Sequence, residues 1–329
     1  MSDLLRRLAP IALVLLLALP LAASCGGSSG NDDADFPQVI TLGQGDLFPA
    51  IRNQVLAVGD NRLTMSLTDR DDNPVLDATV HLRFFNLNGP KPRPYVEADA
   101  RFIPVQLSYV DEQSNHETSV TGSDGAYVAY VNFDEPGNWG VKISVTRDGR
   151  TLDPLPFRFN VLEKPLEPGI GDPAPASRQA TLADVGSIED IDTSFPPRPH
   201  MHDVTVADAL RAGRPIVIAF ATPAFCKSRI CAPVMDTVMD PLYAKYRDQA
   251  IFIHIEPYEL PQLRQANQEE PVPATREWQL QTEPWVFVVD RQGRIAGKFE
   301  GIMAADEVEQ ALLQTLEPAA ASPAPAVTP

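Results

Sequence analysis

Cysteine is scarce, at three in 329 residues. That excludes the disulfide-dense scaffold of small secreted domains and leaves each thiol to be accounted for singly. Basic residues are few as well. Lys and Arg total 27 against 44 Asp and Glu, a formal charge of −17. No stretch gathers enough cations to offer phosphates a face, so nucleic acid and anionic membrane surfaces are excluded as electrostatic partners. Glycine (19) is outnumbered by proline (32), a balance that suits extended linkers and tails rather than flexible loops. The Walker-loop, H-E-x-x-H and helix-opening G-x-G-x-x-G motifs are missing, and G-x-S-x-G occurs only in the Gly/Ser run from Gly26 to Gly30, away from any strand-to-helix turn; the usual hydrolase, nucleotide and zinc-protease signatures are thus absent, and no cofactor is expected. What is present, 44% hydrophobic and 22% charged residues, is ordinary globular composition at a length suited to about two domains.

Long apolar runs are absent but for one. Arg6 and Arg7 precede an almost unbroken apolar stretch from Ile11 to Ala23, too short for the ~20 residues of a spanning helix and followed by small residues. Residues 1–24 therefore read as a secretory signal peptide. The segment Leu21-Ala22-Ala23-Ser24-Cys25 resembles the lipobox of bacterial lipoproteins, although Ala22 stands where Leu is usual. The resemblance implies lipidation of Cys25 and an extracytoplasmic chain held to the membrane by that acyl anchor. Plain cleavage leaving a free Cys25 thiol is the alternative. Residues 25–37, with Gly26, Gly27, Ser28, Ser29, Gly30 and the acids Asp32, Asp33 and Asp35, read as a solvated tether.

From residue 38 to 163 the apolar residues alternate in short runs: Arg62–Leu67, Thr79–Phe85, Ala126–Val131 and Gly140–Val145. This is the period of half-buried antiparallel strands. Turn chemistry is expected at Asp71-Asp72-Asn73-Pro74, Ser123-Asp124-Gly125, Glu135-Pro136-Gly137-Asn138 and Asp148-Gly149, at intervals suited to a sandwich. The run Asp-x-x-x-x-Pro-Val-x-x-Ala-x-Val ending at Val80 and the turn Phe-Asp-x-Pro-Gly-x-Trp starting at Phe133 resemble the Ig-like modules of bacterial surface proteins. Both motifs are architectural. Residues 164–176, rich in proline and without period, read as a semi-rigid interdomain linker, and residues 318–329, nearly all Ala, Pro, Ser, Thr and Val, as a tail unable to bury a core.

Residues 177–317 change period. An apolar strand Pro215–Ala221 leads to a helix from about Pro233 to Asp248, a strand Ile251–Ile255, a strand Trp285–Val289, a turn at Arg291-Gln292-Gly293, a strand Ile295–Phe299 and an amphipathic helix Ala304–Leu316. Cys226 and Cys231 follow the first strand, and Thr282-Glu283-Pro284 precedes the strand at Trp285. This order resembles the thioredoxin-like superfamily, over less than half the chain and with a spacing that departs from C-x-x-C. The expected fold is thus multidomain: an N-terminal all-β Ig-like sandwich and a C-terminal α/β thioredoxin-like domain. The resemblance implies thiol–disulfide exchange through Cys226 and Cys231 on the thiols or disulfides of exported proteins. It also implies a cis Pro284 packed against the sulfurs.

Residues five apart in a regular helix have Cα atoms about 8.7 Å apart, beyond the roughly 7 Å that a disulfide tolerates. Residues 227–230 must therefore loop, and the helix should start near Cys231 with Pro233 in its first turn. A helix-terminal Cys231, with Lys227 and Arg229 close by, would favour thiolate. Two alignments stay open. Cys226 is the attacking thiol in one; in the other, Cys231-Ala232-Pro233-Val234 matches the family's C-G-P-C and Cys231 attacks. The buried acid that the family often keeps before its motif is missing at Ile218 and Ala219, and Glu283 is the nearest replacement.

Three rival readings use the same residues. A disulfide closing so small a loop would be a staple worth only about 2 kcal/mol. In the Sco copper-chaperone family two thiols at this loop bind copper with a His before the following strand, where this chain reads Gln281-Thr282-Glu283-Pro284. The third reading is a non-catalytic binding lipoprotein. On pattern alone His254 reads as a packed or exposed strand residue and His200-Met201-His202 as solvated loop surface rather than copper ligands. Met235 and Met239 read as core, Asp236, Asp240, Glu269 and Glu270 as exposed carboxylates, and Trp285 as a rim or core aromatic with a substrate platform as the alternative. A membrane redox partner is left unidentified.

Overall fold

The computed structural model describes Phe36 and residues 47–113, 117–152 and 154–317. The signal, the Cys25 anchor, most of the tether and the Ala/Pro tail lie outside the described residues. All described residues belong to one compact unit, Asp33–Pro329. Among them no helix is long and apolar enough to cross a membrane.

The first half is all strand: β1 (Phe48–Ile51), β2 (Leu56–Ala57), β3 (Gly59–Thr68), β4 (Thr79–Asn86), β5 (Arg93–Asp111), β6 (Glu117–Phe133), β7 (Gly137–Arg147), β8 (Arg150–Thr151) and β9 (Leu155–Leu162). They pair in the order β1-β3-β6-β5-β4-β7-β9-β2, with β8 against β7. The four expected strands fall within β3, β4, β6 and β7. Their inward residues, among them Leu63, Met65, Leu82, Phe84, Tyr127, Trp139 and Ile143, make one buried core. The Asp69-to-Val80 motif is closed by Tyr127, whose hydroxyl donates to Val75 O at 2.8 Å and accepts from Ala78 N at 3.2 Å. Asp69 Oδ1 accepts from the backbone of Asp71 and Asn73 and sets the preceding turn.

Pattern missed β1, β2, β8, β9 and the longest strand, β5. Its first part pairs with β4 (Val80 with Ala100), and its second runs on beside β6 from Arg101 to Asp111. Ser123-Asp124-Gly125 is therefore no turn: these residues lie within β6, opposite Gln106, Val105 and Pro104. Gly125 is required there by close approach, since a Cβ would sit 2.3 Å from the Phe102 ring.

The second half opens with a 3-10 turn at Ile188–Asp190, another at Pro199–Met201 and helix α1 (Val206–Arg211), capped by Thr205. It continues with β10 (Ile216–Phe220), α2 (Cys231–Val234), a π turn (Met235–Met239) and α3 (Asp240–Tyr246). The last elements are β11 (Ile251–Ile255), α4 (Leu260–Ala266), α5 (Pro273–Glu277), β12 (Trp285–Val289), β13 (Ile295–Glu300) and α6 (Ala305–Leu316). The sheet order is β11-β10-β12-β13; β10 and β11 run parallel, while β12 is antiparallel to both β10 and β13. Strand β10 is buried at every residue, as a central strand covered on both faces must be. One face carries Cys226, Cys231, Met235, Met239 and α6 side chains, the other Phe220, Trp278, Trp285 and Phe287. Met235 and Met239 are core as expected. Trp285, 2% exposed and stacked on Phe287, is core and no substrate platform.

The proline-rich segment 164–176 is pinned rather than free: Gly171 N and Ala174 N donate to Ile295 O and Gly293 O. Its Glu167, 2% exposed, pairs with Lys298 at 2.6 Å. The two halves are also joined by Arg62, whose Nε and Nη2 each donate to Glu307 at 2.9 Å, with side chains 7% and 5% exposed. Tyr130 donates to the same carboxylate at 2.5 Å. Removing one member of such a pair strands the other charge out of water. Arg62→Ala should therefore lower the denaturation midpoint by an amount equivalent to about 3–5 kcal/mol, whereas the apolar double substitution Arg62→Met with Glu307→Leu should recover most of it. Urea melts of the three chains would check this.

Candidate redox site

The strand β10 ends into Ala221, and Cys226 N donates to Thr222 O at 2.9 Å. The chain then turns back: Arg229 N donates to Cys226 O at 3.0 Å, and Arg229 takes a positive φ of 57°. This is the loop that spacing required. It lets Cys231 open α2 with Pro233 in the first turn and sets the two Cα atoms 6.0 Å apart, joined as a disulfide. Cys226 is 4% exposed and Cys231 0%. Cys226 Sγ lies 3.2 Å from Ser228 Oγ.

The cations expected beside the sulfurs are engaged elsewhere. Lys227 pairs with Glu269 at 2.7 Å, and the Arg229 guanidinium lies 5.2 Å from the centre of the Tyr109 ring of β5. The peptide bond Glu283–Pro284 is cis, as the resemblance implied, and Pro284 leads directly into β12. Glu283 stands within 4.8 Å of both sulfurs, ligand atom to ligand atom. Its Oε2 is out of solvent with no hydrogen-bond partner. Burial pushes this carboxyl up to about 8, opposed by the polar groups of Thr222 and, more weakly, by Lys227, with Glu269 adding to the shift. The His of the copper-chaperone pattern is replaced at this place by a carboxylic acid.

The second half of β5 lies over the loop. Ser108 N donates to Arg229 O at 3.0 Å and Val110 N to Pro223 O at 3.2 Å. Val105 and Leu107 pack against the cluster that contains both cysteines. Glu112 accepts from Arg264 of α4 at 2.7 and 3.0 Å.

One sequence expectation is overturned beneath this loop. Met201 and His202, 0% and 2% exposed, are interior rather than solvated, and His254, 1% exposed, meets His202 at 5.1 Å between ring centres. Proline in the loop suggested surface, but the 3-10 turn at Pro199–Met201 folds it inward. Asp236 is exposed as expected and Asp240 half-buried, and both bind Arg198, at 2.6 and 2.7 Å. Sequence reasoning missed Asp192 altogether; buried at 1%, it accepts from Ser194 N and Arg198 N at 2.7 Å each.

A Cys pair at the mouth of the first long helix, a mixed four-stranded sheet and a cis-proline before its third strand in chain order make up a thioredoxin-like arrangement. No protein-family model matches the chain, and no curated protein does. Among solved structures, a Chlorobium tepidum protein named for thiol:disulfide interchange, DsbE, is 20% identical over 46% of this chain and 99% of its own, with a TM-score of 0.30. The PmoD soluble domain from a Methylocystis species is 16% identical over 35% of this chain and 90% of its own, with a TM-score of 0.18. At such scores the chemistry has to be read from the site itself.

Proposed function

We propose that the protein is an extracytoplasmic thiol–disulfide exchange protein, held to the membrane by an acyl chain on Cys25, with an Ig-like module between anchor and redox domain. The reading is carried by Glu283: a carboxyl with a buried, unpartnered oxygen within 4.8 Å of both sulfurs. A mere staple has no use for such a group, which costs stability, whereas exchange needs a proton donor and acceptor tuned near neutrality.

In the oxidising direction a substrate thiolate attacks Cys226, the cysteine with the remaining exposure. The Cys226–Cys231 bond breaks, a mixed disulfide forms, and the Cys231 thiolate takes the proton of Glu283. A second substrate thiolate then attacks the substrate sulfur of the mixed disulfide and releases Cys226 as thiolate. Two substrate thiols leave as a disulfide, and the pair holds the two electrons. Reduction of a substrate runs the same steps backwards, with Glu283 as base.

The pH dependence has a definite sign. Below about 8 Glu283 is protonated and can donate to the leaving sulfur; above it the ionised carboxylate has no proton to give and repels an incoming thiolate. The rate of disulfide reduction per reductant thiolate should fall as pH rises through about 8. Glu283→Gln should flatten the profile and slow the reaction about 10- to 100-fold at pH 7. Stopped-flow reduction of the full chain would measure both. A profile unchanged by the substitution, or a disulfide that does not reduce and re-form reversibly, would end this reading.

A further inference from the structure

We propose that Asp192, His202 and His254 form a binding site for one divalent first-row transition metal ion, zinc by its chemistry, separate from the cysteine pair. The three come from a loop, a 3-10 turn end and the middle of β11, and all are 1–2% exposed. One donor atom from each lies within 4.8 Å of the others. His202 Nε2 is 3.4 Å from Asp192 Oδ2, and His254 Nδ1 is 3.5 Å from Asp192 Oδ1. Neither imidazole nitrogen has a hydrogen-bond partner.

His202 Nε2 can carry a proton toward Asp192, but the His254 contact sets atoms of the wrong kind together. His254 donates from Nε2 to Ala221 O at 2.9 Å, so in the neutral ring the Nδ1 lone pair faces a carboxylate oxygen. Two acceptors at that distance repel unless a cation or proton lies between them. Metal bonds of about 2.0–2.1 Å in a tetrahedron put donors about 3.3–3.4 Å apart, close to the two histidine–aspartate distances and longer than an ordinary hydrogen bond. The outer contacts are those that hold metal ligands in place: a ring N–H given to a backbone carbonyl, and a carboxylate fixed by the N–H groups of Ser194 and Arg198.

Imidazole and carboxylate donors without sulfur suit zinc and its neighbours. A cavity of about 300 Å³ lined by His202, His254, Glu256 and Tyr258 lies beside the cluster on its histidine side. Glu256, whose Oε2 is also unpartnered, supplies a further acid beside the site. Its Oε1 accepts from Thr193, whose hydroxyl in turn accepts from Ala224 N of the cysteine loop. An ion here would brace the floor of that loop.

The test uses the oxidised full chain, in which the disulfide withdraws both thiolates from competition. It is loaded with Zn²⁺ or, as a spectroscopic probe, Co²⁺, freed of unbound metal and assayed for metal per chain. One equivalent is expected, with four-coordinate cobalt d–d bands and no thiolate charge-transfer absorption. His202→Ala and His254→Ala should each weaken binding at least 100-fold, and the Cys226→Ser/Cys231→Ser double variant should bind as the parent does. No uptake by the oxidised parent, sulfur charge transfer in the cobalt spectrum, or full stoichiometry in His254→Ala would overturn the proposal. Where a His variant fails to fold by circular dichroism, the parent's stoichiometry and cobalt spectrum decide alone.

Discussion

Cys226→Ser and Cys231→Ser should each reduce disulfide-exchange turnover at least 1000-fold, and they should fail in different ways. In the direction of substrate reduction, with Cys226 as the attacking thiolate, Cys231→Ser lets Cys226 form a mixed disulfide that Cys231 is no longer there to resolve, so a covalent adduct of protein and substrate accumulates. Cys226→Ser leaves only the enclosed Cys231 and accumulates none. The pattern reverses if Cys231 at the start of α2 is the nucleophile, and mass spectrometry of the trapped species reads the assignment directly. Stability separates exchange from a staple. Closing a loop of this size is worth about 2 kcal/mol, so either substitution should lower the melting midpoint modestly whatever the activity. A full loss of exchange in a chain that remains folded belongs to chemistry, not to lost cross-linking. Activity kept in both single variants would exclude the mechanism.

The redox half was legible because three of its strands, β10, β11 and β12, are buried on both faces and read as continuous apolar runs. Ile251–Ile255 and Trp285–Val289 coincide with β11 and β12. The cysteine spacing also forced a loop before α2 by geometry alone. Glu283 could be named for its place beside Pro284, but its burial could not, since that depends on side chains from distant segments closing over it. The buried Asp192, His202 and His254 were hidden for the same reason: three residues 10 and 52 positions apart along the chain share no periodicity. The strand β5 failed on local chemistry. Pro94 and Pro104 are strand breakers by propensity, and Ser123-Asp124-Gly125 opposite is turn chemistry. Here tertiary pairing overrode both, with Gly125 serving the approach of Phe102.

Loosening the second half of β5 from the cysteine loop should speed reduction of the disulfide about tenfold or more. With Cys226 4% and Cys231 0% exposed, the closed form leaves a thiolate little access to either cysteine. The observed rate is then the intrinsic rate multiplied by the open fraction. Closure rests on the Ser108 and Val110 backbone bonds, the Tyr109–Arg229 stack, the burial of Val105 and Leu107, and the forked Glu112–Arg264 pair. The pair is the member that can be altered without touching the redox residues. A forked, partly buried ion pair is worth about 1–2 kcal/mol, and about 1.4 kcal/mol is a factor of ten in an equilibrium. Glu112→Arg, which sets two guanidinium groups together, should raise the open fraction by that factor or more. Adding Arg264→Glu should restore the salt bridge in reverse and return the rate to that of the parent. The effect should also weaken as salt is added, because screening relieves the repulsion. A rate indifferent to Glu112→Arg would mean that reductant reaches the sulfurs without displacing β5.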